Sequence, residues 1–365
     1  MHAGVGVHYG LAPSPANGPP RPTRCLGTAI ADEGAMLVPH AIKRLARRHA
    51  GERSLNETEA LELFSAVLDG GSGELELGAL LGVLATRPLA PPELAGFRAA
   101  TQARLNRLAL PAGPRPVAIP SYCGARAQAN LMPLVALALA RFGVPVLVHG
   151  PLEGQGGVAS ASVFRELGVF PKAALSDARD ALDASRIAFV PTALLCPALA
   201  QLLSLRARLG VPTCAREVAP LIDPFGGEAL KLVPAGSEDQ CGGLASVLAA
   251  LGEHALLFHG SEGEAYPDPL RRPAMVLFDA GERVTLFDGH LLPASAGATR
   301  AGALPDNPDA KSTAAWIEQV LAGRLAMPLP IANLLACCLF GTGYAEDFNQ
   351  AKAIVAVRAH TPTAA

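Results

Sequence analysis

Short apolar runs alternate with segments of helical periodicity over most of the chain, and this alternation constrains the fold more than any other feature. Strands separated by helices pair in parallel, because each helix returns the chain to the same end of the sheet. The pattern therefore predicts an α/β fold with a mostly parallel sheet that helices cover on both faces. The runs predicted to be strands are residues 117–120, 144–148, 187–190, 255–258, 275–277 and 284–287.

The alternation begins only after residue 112, and the chain is predicted to have two domains. Residues 36–112 show helical spacing of apolar side chains and are predicted to form a small helical domain, whereas residues 113–347 form the larger α/β domain. A helix at 194–209 is predicted to pack on the helical domain. Residues 1–35, which are rich in Gly, Pro and Ala, and residues 348–365 are predicted to be tails.

Local signals place three helices within 36–112. Ser54 and Glu57 have the spacing of a capping box and predict a helix that begins there. A second helix is predicted over residues 74–84. Pro91 stands at a typical first-turn position and predicts a helix that ends near Arg107.

Charge and composition exclude several classes of protein. The chain has 30 Lys and Arg against 32 Asp and Glu, so only a local patch could bind nucleic acid through charge. The longest apolar run, residues 131–140, is about half as long as a membrane span, and no membrane contact is expected. The 7 cysteines include no Cys-x-x-Cys pair, which fits a reducing compartment and predicts a cytoplasmic protein.

The strongest basic feature lies at the start of the helical domain. Its four cations share one face of a helix, and two further arginines lie on a later helix of the same domain. Such a surface could contact phosphates without contacting base edges. An ordinary solvated helix face is the alternative. The predicted nucleic-acid contacts are Lys43, Arg44, Arg47, Arg48, Arg104 and Arg107.

Two of the predicted strands end in the same dipeptide, His149-Gly150 and His259-Gly260. Each is followed by a loop with a Glu-Gly pair. The carboxyl ends of parallel strands face the ligand crevice of an open sheet. Both dipeptides are therefore expected at the edge of the sheet where a ligand would bind.

The order of these elements resembles anthranilate phosphoribosyltransferase, a member of glycosyltransferase family 3, over roughly residues 36–345. Four segments, residues 120–126, 148–150, 259–264 and 315–318, resemble more closely the YbiB-type branch of that family. The resemblance implies the fold predicted above and a homodimer formed through the helical domain. For the YbiB-type branch it also implies DNA binding.

The family binds phosphoribosyl pyrophosphate in a Gly-Thr-Gly-Gly-Asp loop, which matches residues 120–124 here. Pro120 has no backbone N–H to donate, and Gly124 stands where the family has its acid. Tyr122 and Cys123 place side chains where the backbone should approach the ligand. The family's next loop, Lys-His-Gly-Asn-Arg, matches residues 148–152 and has lost both cations. The sequence therefore predicts an eroded donor site.

Other positions of the family's ligand cleft are matched by polar or small residues. The residues that the resemblance assigns to the cleft are Ser121, Gly124, Arg126, Asn130, His149, Gly150, Ser160 and Arg206. The magnesium motif of the family falls on residues 262–266, where Glu262 and Glu264 could hold a hard cation. A solvated acidic loop is the alternative for these two glutamates.

Three functional hypotheses follow. The first is non-sequence-specific binding of nucleic acid, either DNA or RNA, with no cofactor and no catalytic residue. The second is an active pentosyltransferase with an altered donor site, which would use phosphoribosyl pyrophosphate and Mg²⁺. The third is a protein without activity that holds a protein partner. The sequence leaves open whether the chain is an enzyme.

Overall fold

The structure, a computed structural model, describes residues 37–47, 54–154, 156–289, 304–305 and 307–358. It has an N-terminal group of helices and a seven-stranded sheet. The strands are β1 (Val117–Pro120), β2 (Val146–Gly150), β3 (Ile187–Pro191), β4 (Leu230–Ala235), β5 (Ala255–His259), β6 (Met275–Asp279) and β7 (Glu282–Phe287). The predicted tail at 1–35 lies outside the described residues.

The helices of the first part are α1 (37–45), α2 (Glu57–Leu68), α3 (Glu74–Leu84) and α4 (Pro91–Gln102). Those between the first strands are α5 (Met132–Arg141), α6 (Ser160–Glu166) and α7 (Leu175–Ser185). After β3 come α8 (Thr192–Leu195), α9 (Pro197–Ser204), α10 (Arg206–Leu209), α11 (Ala215–Val218) and α12 (Glu238–Leu251). The last helices are α13 (Ala310–Leu321), α14 (Leu329–Gly341) and α15 (Phe348–Arg358).

The sheet has the order β3-β2-β1-β4-β5-β6-β7. The first five strands in this order pair in parallel, and β6 and β7 extend the sheet as an antiparallel hairpin. The direction of winding reverses between β1 and β4. A reversal of this kind opens a crevice at the carboxyl ends of the two strands, where ligands bind in open α/β sheets. The predicted α/β architecture with a mostly parallel sheet is confirmed.

Alternate side chains of the strands enter two separate cores. Ala118 and Val233 face a core shared with the N-terminal helices, α7 and α12. Ile119 and Leu232 face a second core, filled by α5, α6, α13, α14 and α15. Trp316 and the pair Cys337-Cys338 lie in the second core. Among the described residues, no helix is both long enough and apolar enough to cross a membrane.

The first four helices pack mainly through apolar side chains. In α1, Val38, Ala41 and Leu45 are buried, as their spacing predicts. Phe64 of α2 stacks on Phe97 of α4 with ring centroids 4.4 Å apart. After β3 the chain returns to this group, since α9 packs on α11 and α11 packs on α4. The boundaries of the two domains stay a prediction.

Four local predictions are wrong. Residues 348–358, predicted to belong to a tail, form α15 and bury Ala351 and Val355 in the second core. The capping box that begins α2 is formed by Asn56 and Glu59, not by Ser54 and Glu57, because the Asn56 side chain accepts from Glu59 N–H and the Glu59 side chain accepts from Asn56 N–H. The helix predicted at 194–209 is divided into α8, α9 and α10, and α9 begins at Pro197, which cannot continue the preceding helix. Helix α4 ends at Gln102, before Arg107.

A buried group of three charges joins the helical part to the sheet. Glu253, which follows α12, accepts hydrogen bonds from Arg98 of α4 and Lys231 of β4. Burial alone would raise the pKa of Glu253, but Lys231 and Arg98 outweigh burial and lower it. The Lys231 side chain is 1% exposed, so its charge depends on Glu253 for compensation.

Replacing Glu253 with Gln is expected to destabilise the fold by roughly 3 kcal/mol, because breaking a buried ion pair leaves its partner charges uncompensated. The measurement is the free energy of unfolding in urea. Glu282→Gln, at an exposed position of β7, is the matched control and is expected to change it by less than about 0.5 kcal/mol. Equal effects of the two substitutions would contradict this role of Glu253.

Candidate functional site

A cavity of about 1030 Å³ lies at the crevice between β1 and β4, where the helical part faces the sheet. One wall is formed by residues 84–94 of the helical part. The other is formed by the ends of β1 and β4 and by the turns that follow β1 and β5. Arg87, Arg126 and Arg216 line the cavity, together with Glu217, Asp239 and Glu262. Cations and carboxylates are therefore equal in number along its walls.

The turn after β1 holds the carboxylate of Glu264. Both Cys123 and Gly124 donate their backbone N–H groups to Glu264 Oε1, each at 2.7 Å. Gly124 has a left-handed backbone with φ +70°, which turns its N–H toward the carboxylate. Burial raises the pKa of Glu264, and the N–H donors of Gly124 and Cys123 oppose that rise. The backbone donors of this turn are thus bound to an anion supplied by the chain itself.

Three matched residues form a hydrogen-bonded cluster behind this turn. Ser160 Oγ accepts from Ser121 Oγ at 2.8 Å and from Asn130 Nδ2 at 3.0 Å, and it lies 3.4 Å from Glu264 Oε2. All of these side chains are buried. A Cβ on Gly150 would stand 2.0 Å from the carbonyl oxygen of Ser121, so only glycine allows β2 to pass this close. The cluster links the turn after β1, the segment before α5, the start of α6 and the turn after β5.

A second carboxylate lies against the next stretch of backbone. Glu262 accepts hydrogen bonds from the N–H groups of Arg126, Ala127 and Gln128 at 2.9, 3.0 and 3.2 Å. Glu262 itself is exposed and has a left-handed backbone with φ +51°. Successive N–H groups that point into one concavity form a site for an anion. Here the anion is the side chain of Glu262.

The two glutamates were considered as ligands of a hard cation, with a solvated acidic loop as the alternative, and their geometry fits magnesium poorly. Magnesium requires carboxylate oxygens that are free to ligate at short distance. Glu264 and Glu262 instead accept from the backbone N–H groups of Cys123, Gly124, Arg126, Ala127 and Gln128. Within the parts of the chain that the structure describes, no group of three or more His, Cys, Asp or Glu side chains is arranged to hold a metal ion.

His149 and His259 end two strands of the sheet at its carboxyl edge, as their matching motifs predict. His149 is fully buried, and its Nδ1 lies 2.9 Å from the hydroxyl of Tyr122. Burial lowers the pKa of His149 to about 3, so the ring is neutral at neutral pH. Because Tyr122 is buried as well, this pair packs the base of the site.

Cys123 lies on the cavity wall, and its Sγ is 3.3 Å from Arg216 Nη2. Burial raises the pKa of the Cys123 thiol, and the Glu264 carboxylate adds to that rise. The sulfur is therefore protonated at neutral pH. A protonated thiol is a poor nucleophile.

Of the two arginines that the resemblance assigns to the ligand cleft, one lines the cavity and the other does not. Arg206 begins the short helix α10 and is not among the lining residues, whereas Arg126 is. Arg87 and Arg216 also line the cavity, and Arg87 forms an ion pair with the buried Glu93. Arg87 follows the end of α3 and carries no sequence signal, because its place at the cavity depends on how the helical part packs on the sheet.

Two of the basic residues predicted to contact nucleic acid are held in separate ion pairs. Arg44 pairs with Glu59 near the start of α2, and Arg104 pairs with Asp69 just after its end, each at 2.5 Å. About ten residues of helix, roughly 15 Å, separate the two pairs. Lys43, Arg47 and Arg107 are exposed, and Arg48 lies outside the described residues.

In sequence, the chain is similar to the protein YbiB of Escherichia coli (strain K12), with 37% identity over 316 residues that cover 86% of this chain and 97% of YbiB. It is also similar to the anthranilate phosphoribosyltransferase of Methylocella silvestris, with 29% identity over 320 residues, or 87% of this chain and 90% of that protein. A scan against models of protein families gives no match.

In structure, the chain is similar to the anthranilate phosphoribosyltransferase of Thermus thermophilus, with a TM-score of 0.69 and 24% identity over 89% of this chain and 94% of that one. The Saccharomyces cerevisiae enzyme in complex with PRPP and Mg gives a TM-score of 0.66 and 15% identity, with the same coverage. At these identities the likeness shows the fold alone.

Replacing Glu264 with Ala is expected to destabilise the fold by about 1–3 kcal/mol for each N–H donor left unpaired in the turn after β1.

Glu264→Gln keeps an acceptor oxygen and avoids the burial of a charge. Because burial raises the pKa of Glu264, the stability of the wild type should fall relative to the Gln variant as pH rises from about 4.5, the ordinary glutamate value, to neutral. Urea unfolding at several pH values measures the difference. A difference that does not vary with pH would contradict a pKa of Glu264 that burial raises in the folded protein.

Proposed function

Since the chain belongs to the YbiB family, within the anthranilate phosphoribosyltransferase superfamily, we propose that it binds nucleic acid and has lost the transfer chemistry of the fold. The binding is non-sequence-specific and uses phosphate contacts. The protein acts in the cytoplasm as a homodimer paired through its helical part. The family resemblance supports these features, and the site described above supports the loss of transfer chemistry.

The observation that carries the proposal is the position of Glu264. A donor loop that binds a diphosphate needs backbone N–H groups free to donate to it. In this chain the N–H groups of Cys123 and Gly124 are bound by a buried carboxylate, and Pro120 has none. A diphosphate at this turn would meet the Glu264 charge and would have to displace a group that is fully buried.

Phosphate contacts in this proposal come from exposed cations. Lys43 on α1 and Arg107 after α4 are exposed at positions that the sequence assigns to nucleic acid. Arg44 and Arg104 contribute to the fold instead, because each is held in an ion pair with a carboxylate of α2 or its end. In a dimer, a few cations on each of the two subunits would contact the same nucleic acid. The number of phosphate contacts would then double although the net charge of each subunit is small.

Replacing both Lys43 and Arg107 with Gln is expected to weaken binding to a random-sequence duplex. It should also lower the magnitude of the slope of log K against log salt by about four per dimer, because the two substitutions remove two phosphate-neutralising cations from each of the two subunits. Gel-shift titrations over a salt series measure both quantities, and sedimentation equilibrium on the same samples gives the number of subunits.

Two controls separate the effect of these two positions from a general change of charge. Lys311→Gln removes an exposed cation from α13 and is expected to leave the salt slope unchanged. Arg104→Gln is expected to lower stability, because Asp69 loses its partner, while the salt slope stays the same. A wild-type affinity that hardly varies with salt, or equal effects at Lys311 and at Lys43 with Arg107, would overturn the proposal.

The cavity supports the second hypothesis, an active phosphoribosyltransferase. A volume of about 1030 Å³ at the carboxyl ends of β1 and β4 is enough for a small-molecule ligand, and the cluster of Ser121, Asn130 and Ser160 is present. In the turn after β1, the N–H groups of Cys123 and Gly124 are already bound by Glu264. This favours the first hypothesis, nucleic-acid binding, over an active transferase.

Calorimetry with phosphoribosyl pyrophosphate and Mg²⁺ distinguishes the two hypotheses. Because Glu262 and Glu264 are engaged by backbone N–H groups, we expect no binding heat up to about 1 mM ligand. Binding at micromolar strength would establish the donor site and overturn the loss of transfer chemistry.

A further inference from the structure

A second cavity, of about 550 Å³, lies at the edge of the sheet where β3 begins. It is bounded by the ends of α5, α6 and α13 and by the first residue of β3, Ile187. Because the parallel strands run from this edge toward the crevice, the two cavities lie at opposite ends of the sheet. The volume falls within the range of about 300–1,000 Å³ that is typical of sites for small molecules.

Apolar side chains cover most of the wall of this second cavity. Leu137 of α5, Leu167 after α6, Ile187 of β3 and Leu321 of α13 all line it. Phe170 lines it as well, and this residue is 59% exposed. An aromatic side chain that stays open to water beside an apolar wall can lose that exposed area only to a ligand with an apolar body.

Two cations lie on the same wall, and neither is compensated by a carboxylate of the described residues. Arg141, the last residue of α5, donates from Nη1 to the carbonyl oxygen of Leu321 and forms no ion pair there. Burial lowers the pKa of the Arg141 guanidinium, and no carboxylate opposes this effect. Lys172 is half-buried and also forms no ion pair within the described parts of the chain. Glu318 lines the cavity, but its side chain is exposed and pairs with neither cation.

This combination selects one kind of ligand. An arginine fork can donate two parallel hydrogen bonds to the two oxygens of a carboxylate, and a lysine adds a second positive charge. A ligand with many polar groups, such as a nucleotide, would place some of them against the apolar wall without hydrogen-bond partners. A ligand with one anionic end and an apolar remainder avoids that cost.

We propose that the second cavity is a binding site for a small carboxylic acid with an aromatic or aliphatic body. The body packs against Phe170 and the leucine side chains of the wall, and the carboxylate binds Arg141 and Lys172. The site lies away from the crevice between β1 and β4. It is independent of the exposed cations of the helical part and of the proposed binding of nucleic acid.

Calorimetry with 4-phenylbutyrate tests the proposal, because this acid joins a phenyl body to a carboxylate through a flexible chain. 4-Phenylbutyramide has the same body without the charge, and acetate has the charge without the body. We expect the acid to bind with a dissociation constant of roughly 1 mM or lower, and both comparison compounds to bind at least tenfold more weakly. Equal affinities of acid and amide, or no binding of the acid at about 10 mM, would overturn the proposal.

Two Arg→Met substitutions locate the site. Arg141→Met removes the guanidinium group from the cavity and keeps a long side chain, whereas Arg165→Met removes an exposed guanidinium group of α6 that does not line the cavity. We expect Arg141→Met to weaken the binding of 4-phenylbutyrate at least tenfold and Arg165→Met to change it by less than twofold. The same loss of affinity in both variants, or in neither, contradicts a site at Arg141.

Should Arg141→Met fail to fold, backbone amide NMR of the wild type decides. The probe is then expected to shift the amide signals of Gly168, Val169 and Phe170, which line the second cavity. Shifts that occur only at Cys123 and Gly124, beside the crevice, or no shifts at all, would overturn the proposal.

Discussion

The hydrogen bonds from the turn after β1 to Glu264 decide what this fold can do. They join two turns that lie on either side of the point where the sheet reverses its winding. The same carboxylate approaches Ser160, which in turn holds Ser121 and Asn130. A single buried charge therefore fixes the base of the cavity, and it does so with the backbone donors that a diphosphate would need. The turn after β1 is thereby tied to the protein core.

Elsewhere in the molecule, some basic side chains form ion pairs that stabilise the fold, whereas others are exposed to solvent. Arg44, Arg98 and Arg104 are each paired with a carboxylate and hold segments of the chain together. Lys43 and Arg107 remain exposed. Because the chain as a whole has a net charge of −2, its electrostatic character depends on which cations are paired, and composition alone does not contain that information.

Much of the fold could be predicted from local sequence. Strand β1 and helix α3 have the predicted bounds, and the two His-Gly dipeptides end strands at the same edge of the sheet. Strand β4 was not predicted, because it contains Lys231 and Pro234, residues that are rare in buried strands. Lys231 is tolerated there because Glu253 compensates its charge, and such a partner cannot be identified from periodicity.

The candidate site was less predictable for a related reason. The eroded loop could be recognised from Pro120, Tyr122 and Cys123, which are neighbours in sequence. The role of Glu264 could not, because its contact with Cys123 spans 141 positions of the chain. A cation site at Glu262 and Glu264 was inferred from the residue types alone, because their hydrogen-bond partners cannot be read from the sequence. In the structure, the carboxylate oxygens of both residues accept hydrogen bonds from backbone N–H groups.

The group of Arg98, Glu253 and Lys231 also restricts how the cavity can change its width. Any rotation of the helical part against the sheet must keep these three charges together, since separating them would leave a bare ion in a dry environment. Glu253 therefore ties α4 to β4, and the spacing between the helical part and the sheet is constrained at this point.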